Sequence, residues 1–254
     1  MTSLVPHPIG ATQLRFTTLS STNQYALDLL SKTRPTPGTV IFTSFQHHGR
    51  GQIGRSWLDE PGKNACFSVI MHPQIPASDQ FLLNAEVAVA LCSGISSSLD
   101  QPVSVKWPND IYVADRKIAG ILIQNVISGS KIRYSVVGIG LNVNQEDFAP
   151  SLPNPTSLYL EGGQIHEPFA VCQRICVLLA QHLHRQPSAK RIIGTYNALL
   201  YRRGQETVFE DLNNGERFDG RIARVGTDGK LRIDGHQGER SYAFNEIKMI
   251  TDER

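Results

Sequence analysis

The sequence predicts an α+β chain in two parts: a body of mixed strands and helices over residues 1–203 and a small β-barrel over 204–254. Three observations predict it. Up to Arg203, β-branched or apolar runs of strand length alternate with longer segments whose apolar residues recur at helical spacing. Beyond Arg203 the pattern changes to short alternating strands split by Asn214-Gly215 and Asp228-Gly229, the dipeptides of tight hairpins. The 254 residues are 40% hydrophobic and 19% charged, the balance of a globular chain with room for one large domain and a small one.

Taken in order, residues 14–19 read as a short strand. Ser20 to Asn23 then offer capping side chains to a helix over 24–31, with apolar residues at 26, 27, 29 and 30. RPTPG at 34–38 is a turn, and TVIFTSF at 39–45 is β-branched and aromatic, hence a strand. A glycine loop follows. ACFSVIM at 65–71 is nearly all apolar, so it predicts a strand buried on both faces, and 72–78 is a loop. The spacing over 79–99 predicts the longest helix. Strands follow at 103–107 and in a hairpin over 110–125; another, at 133–144, ends on a glycine pair. The Pro/Asn stretch 150–155 is a loop, and 168–185 and 189–203 read as helices. The last fifty residues suit a five-strand barrel.

Composition excludes some functions. A net charge of +2 does not point to nucleic acid. No apolar run is long enough to cross a membrane, and MTSLVPHPIGATQ lacks the basic start and apolar core of a signal peptide, so a cytoplasmic protein is expected. Cys66, Cys92, Cys172 and Cys176 form no C-x-x-C pair and sit in apolar segments, as buried free thiols do. No Ser–His–Asp or Cys–His signature is present, Cys66 in an apolar strand is a poor nucleophile, and His47-His48 lacks metal-ligand spacing.

HHGRGQIGRSW at 47–57 contains a literal G-x-G-x-x-G at Gly49, Gly51 and Gly54. A dinucleotide fingerprint requires a helix next, because the pyrophosphate sits on its N-terminus. Here SWLDEPGKNA follows, and Pro61, Gly62 and Asn64 forbid a helix start. A kinase loop would be followed by H-R-D and D-F-G, which are absent. What survives is a loop whose glycines let backbone approach an anion, with Arg50 and Arg55 as delocalised cations and Trp57 as a flat apolar surface. Alone it reads equally well as a cationic surface loop. KWPND (106–110) is either an Asx-type turn or a site turn, Lys117 in RKIAGIL either a solvated hairpin charge or a ligand contact, and GIGLNVN (138–144) either a close-packed strand end or a pocket wall.

Together, Ser21-Thr22-Asn23, then Q-x-x-G-R-G-x-x-G-R-x-W from Gln46, then KWPND, RKIAGIL and GIGLNVN, in this order and spacing, resemble the biotin–protein ligases. The resemblance covers about residues 14–200 and implies a mixed β-sheet backed by helices, of the kind shared with class II aminoacyl-tRNA synthetases and lipoate ligases, plus an SH3-like barrel. It implies activation of biotin with ATP and Mg²⁺ to biotinyl-5′-AMP, then transfer to a lysine of a biotin carboxyl carrier domain, that of acetyl-CoA carboxylase, by a monomer or homodimer. Ser21, Thr22, Asn23 and Gln46 then resemble the wall around biotin's ureido ring, with Gly49, Arg50, Arg55 and Trp57 in the loop that closes over the adenylate. Gly51, Gln52 and Gly54 belong to the nucleotide side of that loop. Lys117 resembles the lysine on the biotin carboxylate and α-phosphate, and Gly120 and Leu122 lie along the ligand. Asn109 and Asp110 resemble the turn beside the phosphates, Asp110 being the candidate for Mg²⁺ or the incoming amine. Gly138 and Asn142 close the far side near the nucleotide. Lys117, Arg55, Arg50 and Asp110 are the expected catalytic set.

The chain departs from the pattern in three places. Gln52 and Ile53 replace two arginines of the loop, which predicts a less tightly held intermediate. Pro155 stands near where some members stack a tryptophan on adenine. About a dozen residues precede the first strand, so no DNA-binding domain and no nucleic-acid or membrane partner is expected. A lipoate or octanoate ligase of the related fold and a non-catalytic biotinyl-AMP sensor are the competing readings.

Overall fold

The computed structural model describes residues 8–52, 54–184, 188–236 and 238–250; Ile53 and Arg185 lie outside these. In chain order the first elements are β1 (Gln13–Phe16), α1 (Thr22–Lys32), β2 (Val40–Thr43), β3 (Gly49–Arg50), β4 (Ser56–Trp57) and β5 (Asn64–Met71). A 3₁₀ turn at Ala77–Asp79 leads into α2 (Gln80–Ser96). Next come β6 (Val103–Lys106), β7 (Asp110–Val113), β8 (Arg116–Ser128), β9 (Lys131–Asn142), α3 (Leu158–Gly162), α4 (Pro168–His184) and α5 (Ala189–Ala198). The C-terminal strands are β10 (Glu206–Asp211), β11 (Arg217–Val225), β12 (Leu231–Gly235), β13 (Gly238–Tyr242) and β14 (Ile247–Ile250).

The main sheet has seven strands in the order β1-β2-β5-β9-β8-β7-β6. β1 and β2 run parallel, and the other neighbours are antiparallel, so the sheet is mixed. Side chains alternate between its faces. Phe67 and Val69 of β5, Ile121 of β8 and Val137, Ile139 and Leu141 of β9 point into the main core with α2, α4 and α5. On the other face Ile41, Ile70 and Val136 meet Ala26 of α1. Helix α1 covers only part of that face, and the rest holds the glycines of β8 and β9. β5 is buried along its whole length, as its apolar run requires.

The five C-terminal strands pair in the order β13-β12-β11-β10-β14. No pairing closes β13 onto β14 among the described residues, so the expected five strands form an antiparallel sheet with two edges. A bulge between Ile222 and Arg224 bends β11. Phe209, Ile222, Val225, Leu231 and Ile233 join the same core cluster as the main sheet.

Three local readings change. The first strand stops at Phe16, because the chain turns so that Ser21 can cap α1, its side chain accepting from Gln24 N. The last helix stops at Ala198, five residues early. There Leu199 O accepts from Val105 N at 2.7 Å and Tyr201 N donates to Val105 O at 2.9 Å, so the segment satisfies the free edge of β6 instead of extending a helix. The glycine loop, read as irregular, is a two-strand hairpin of β3 and β4.

Candidate active site

The glycines of GIGLNVN and RKIAGIL line the uncovered face of the main sheet. Gly140 of β9 pairs with Gly120 of β8, and Gly138 pairs with Leu122. A Cβ on Gly140 would lie 2.6 Å from Cε2 of Trp57, and one on Gly138 would overlap the Asn23 carboxamide. Glycine at these positions lets an indole and an amide rest directly on sheet backbone. The trough is therefore a consequence of two missing side chains. Gly49 pairs with Trp57 across the hairpin, which brings the indole down on the trough. The indole Nε1 is buried, with the Cys66 thiol as its polar neighbour.

The wall beside the trough is polar and internally bonded. Gln46 Oε1 accepts from Thr22 N at 2.8 Å and from Thr22 Oγ1 at 3.2 Å. Asn23 Nδ2 donates to Leu122 O at 3.1 Å and Gln124 Oε1 at 2.9 Å. Ser68 Oγ lies 2.7 Å from Thr22 Oγ1 and 2.6 Å from Asn23 Oδ1. Ser21, Thr22, Asn23, Gln46 and Ser68 are all buried. Behind Gln46, its N–H donates to Asp59 Oδ2 at 2.8 Å, and Asn64 Nδ2 donates to Asp59 Oδ1 at 2.9 Å. Burial pushes the Asp59 carboxyl up while these bonds pull it back down.

At the end of the trough Lys117 Nζ and Asp110 Oδ1 form an ion pair at 2.7 Å, both side chains partly exposed. A Cβ on Gly120 would be 3.5 Å from Trp57, 3.6 Å from Asp110 Oδ1 and 3.7 Å from Lys117 Cε, so this one backbone position touches all three. The KWPND turn is held from the core side, where Asn84 Nδ2 and Tyr196 Oη each donate to Pro108 O at 2.8 Å. Asn109 turns its amide inward onto Ile121 O at 2.5 Å, which ties the turn to β8. Asn142 Nδ2 donates to Thr156 O at 2.9 Å. The segment around Pro155 runs beside Lys117, with Lys117 N donating to Asn154 O at 2.7 Å and Thr156 N to Lys117 O at 2.9 Å.

The structure thus brings Ser21, Thr22, Asn23, Gln46, Trp57, Gly120, Leu122, Gly138 and the Lys117–Asp110 pair around one trough. Arg50, Gly54 and Arg55 are exposed and Gly51 and Gln52 half-buried on the hairpin; Gln52 O accepts from Arg55 N at 3.1 Å. Sequence reasoning missed Ser68, Asp59 and Gln124. Ser68 had a signal, being the one hydroxyl in an otherwise apolar strand. Asp59 and Gln124 had none, since their partners are distant in sequence. Among the described residues no three His, Cys, Asp or Glu side chains gather as metal ligands, and no helix is long and apolar enough to cross a membrane.

Residues 15–142 match the Biotin/lipoate A/B protein ligase family. The bifunctional ligase/repressor BirA of Bacillus subtilis is 34% identical over 160 residues, covering 62% of this chain and 49% of the relative. The biotin–[acetyl-CoA-carboxylase] ligase of Paracoccus denitrificans is 32% identical over 129 residues, covering 48% of this chain and 53% of the relative. The chain spans about half the length of these curated relatives. Among solved structures, the biotin protein ligase from Aquifex aeolicus in complex with biotin and ATP has a TM-score of 0.77 at 22% identity, over 94% of this chain and 99% of that one. That likeness shows the fold, a mixed sheet backed by helices with a small antiparallel sheet beside it. The matched region takes in every strand of the glycine trough, and the chain belongs to the biotin/lipoate A/B protein ligase family.

Proposed function

We propose that this chain is an ATP-dependent biotin–protein ligase, with residues 1–203 as its catalytic domain and 204–254 as a separate small domain. The observation that carries the reading is the Lys117–Asp110 pair at the end of a trough floored by glycine and covered by Trp57. In the first step a biotin carboxylate oxygen bonds to the α-phosphorus of ATP and the bond to the bridging oxygen breaks, releasing pyrophosphate. Two anions must meet, so cations have to offset both. Lys117 stands at the trough, and Arg50 and Arg55 ride on the hairpin that covers it. Removing water under that hairpin strengthens each of these charges. In the second step a lysine amine of a biotin carboxyl carrier domain attacks the acyl carbon of biotinyl-5′-AMP, AMP leaves and the amine loses its proton. Biotin is both the nucleophile and the acyl carrier, so no protein nucleophile is needed, and burial pushes the Cys66 thiol far up, away from reactivity.

The donors and acceptors of Thr22, Asn23, Gln46 and Ser68 suit a ureido ring, which both donates and accepts. The indole N–H of Trp57, whose polar neighbour is the weakly accepting Cys66 sulfur, is a further donor at the trough. A nucleotide-borne Mg²⁺ needs only one or two protein carboxylates beside phosphate oxygens. Asp110 fits that requirement, and the ion would offset phosphate charge there. Relatives named biotin–[acetyl-CoA-carboxylase] ligase support the carrier of that enzyme as acceptor. Four buried free thiols suit the reducing cytoplasm.

The test is incubation with ATP, Mg²⁺, radiolabelled biotin and a purified carrier domain. Label on the carrier lysine is expected, with Lys117→Ala reducing the rate at least a hundredfold. Labelled adenylate without transfer would favour a sensor, and labelling with lipoate but not biotin would overturn the substrate.

A further inference from the structure

Beyond Lys117, the face that carries the trough continues into a second group of charges to which the ligase reading assigns no role. Lys106 pairs in register with Asp110, and Tyr112 with Lys117, so all four side chains belong to one face of β6, β7 and β8. Lys106 Nζ lies 3.3 Å from Tyr112 Oη and 5.0 Å from the Tyr112 ring, and 5.9 Å from the Tyr201 ring. Its hydrogen-bond partner is therefore a neutral phenol, and no carboxylate comes within ion-pair reach of it among the described residues. Tyr112 accepts from Lys106, which leaves its own O–H to donate.

Of the remaining members, Tyr201 and Arg202 come from the linker between α5 and β10 and Asp115 from the turn between β7 and β8. Tyr201 packs against Tyr112 with ring centroids 5.0 Å apart and the planes tilted by 37°. Asp115 accepts from Tyr201 Oη and from Arg202 Nη2, the latter at 3.1 Å. Arg202 holds φ 53, a left-handed conformation uncommon for a residue with a side chain, which persists only where its surroundings over-determine it. Main-chain bonds from Leu199 and Tyr201 to Val105 lock the linker there. Four cations, Lys106, Lys117, Arg55 and Arg202, thus share this region with two carboxylates, Asp110 and Asp115. Burial lowers the Lys106 ammonium, Asp110 opposes that, and Lys117, Arg202 and Arg55 lower it further. A half-buried excess of positive charge with phenol and guanidinium donors suits an inorganic polyphosphate, which accepts from all three donor types.

We propose that Lys106, the Tyr112 hydroxyl and Arg202 form the subsite for the pyrophosphate leaving group, with Tyr201 and Asp115 positioning Arg202, so that the interdomain linker is part of the active site. This rests on the ligase reading of the Lys117 trough. The subsite holds pyrophosphate as the α–β bridging bond breaks and binds it again in the reverse reaction.

The experiment has two arms on the whole 254-residue chain. In the first, equilibrium dialysis with ³²P-labelled inorganic pyrophosphate compares wild type with Lys106→Met, Lys106→Arg and Arg202→Asn. Asparagine tolerates the left-handed backbone, and thermal melting checks that each variant folds. In the second, biotin-dependent ATP–pyrophosphate exchange is measured beside transfer from preformed biotinyl-5′-AMP to the carrier domain. Expected are at least tenfold weaker pyrophosphate binding and a tenfold higher KM for pyrophosphate in Lys106→Met and Arg202→Asn. Lys106→Arg should stay within threefold of wild type, and in Lys106→Met and Arg202→Asn transfer from preformed adenylate should fall less than exchange does. Pyrophosphate binding that is absent in wild type, or equal in wild type and variants, overturns the subsite. Lys106-dependent pyrophosphate binding without any biotin-dependent exchange overturns the ligase reading and leaves the subsite standing.

Discussion

At the scale of single residues, the site depends on side chains that are missing as much as on those present. Gly140→Ala puts a methyl group where the Trp57 ring lies. The indole must leave the trough, so biotin binding should weaken at least tenfold, about 1.4 kcal/mol, while the melting temperature stays within a few degrees. Titration calorimetry with biotin checks this, and unchanged affinity would remove Trp57 from the ligand slot. Glu86 poses a different residue-scale problem. It is buried in α2, its Oε1 finds no partner among the described residues, and burial pushes its carboxyl up from 4.5 to about 7. The folded state thus keeps a proton that the unfolded chain gives up near pH 4.5. Its stabilising effect is complete below about pH 4.5, declines as pH rises and is gone above about 7, a span of about 3 kcal/mol at most. Glu86→Gln should therefore stabilise the protein at pH 8 and leave it nearly unchanged at pH 4.5, as denaturant titrations at the two pH values would show.

At the scale of elements, the KWPND turn is positioned by two helices on the core side of the sheet. Asn84 of α2 and Tyr196 of α5 both donate to Pro108 O. Either Asn84→Ala or Tyr196→Phe leaves one donor and should cost about 1 kcal/mol. The double variant leaves the carbonyl without either donor and should cost more than the sum, a coupling measurable by a double-mutant cycle in urea. Most elements were legible, since the nearly all-apolar run at 65–71 and the helical spacing over 79–99 have few alternatives, and they form β5 and α2. The end of α5 was not. Residues 199–203 (LLYRR) continue a helical pattern, and only the unpaired edge of β6 draws them away. The β3–β4 hairpin was also illegible, because its strands are two residues long and pair only with each other.

At the scale of the whole molecule, the C-terminal sheet is joined to the body by more than its linker. Asn197 Nδ2 donates to Val225 O at 3.0 Å and Val225 N donates to Asn197 Oδ1 at 2.7 Å. Trp107 Nε1 donates to Gly229 O at 3.0 Å, which ties the KWPND turn to the Asp228-Gly229 hairpin. Asn197→Ala strands two buried main-chain groups, so a loss of about 2–4 kcal/mol is expected. Calorimetry should then show the C-terminal sheet melting ahead of the body; a single unshifted transition would mean the two parts do not rely on this contact.

The sequence by itself determined the alternation of strands and helices, the hairpins after Arg203, and the residue types of the site: glycines for close approach, arginines and Lys117 for anions, and a polar triplet at 21–23. These are local properties, written in periodicity, turn chemistry and motif spacing. Only the tertiary structure decided that Gly120, Gly138 and Gly140 share the face that α1 leaves uncovered, that Ser68 and Gln124 complete the polar wall, and that Lys106 meets Tyr201 and Arg202. Those contacts depend on strand register and on where the chain crosses from α5 to the second sheet. A one-residue change in either would turn the same side chains to the opposite face.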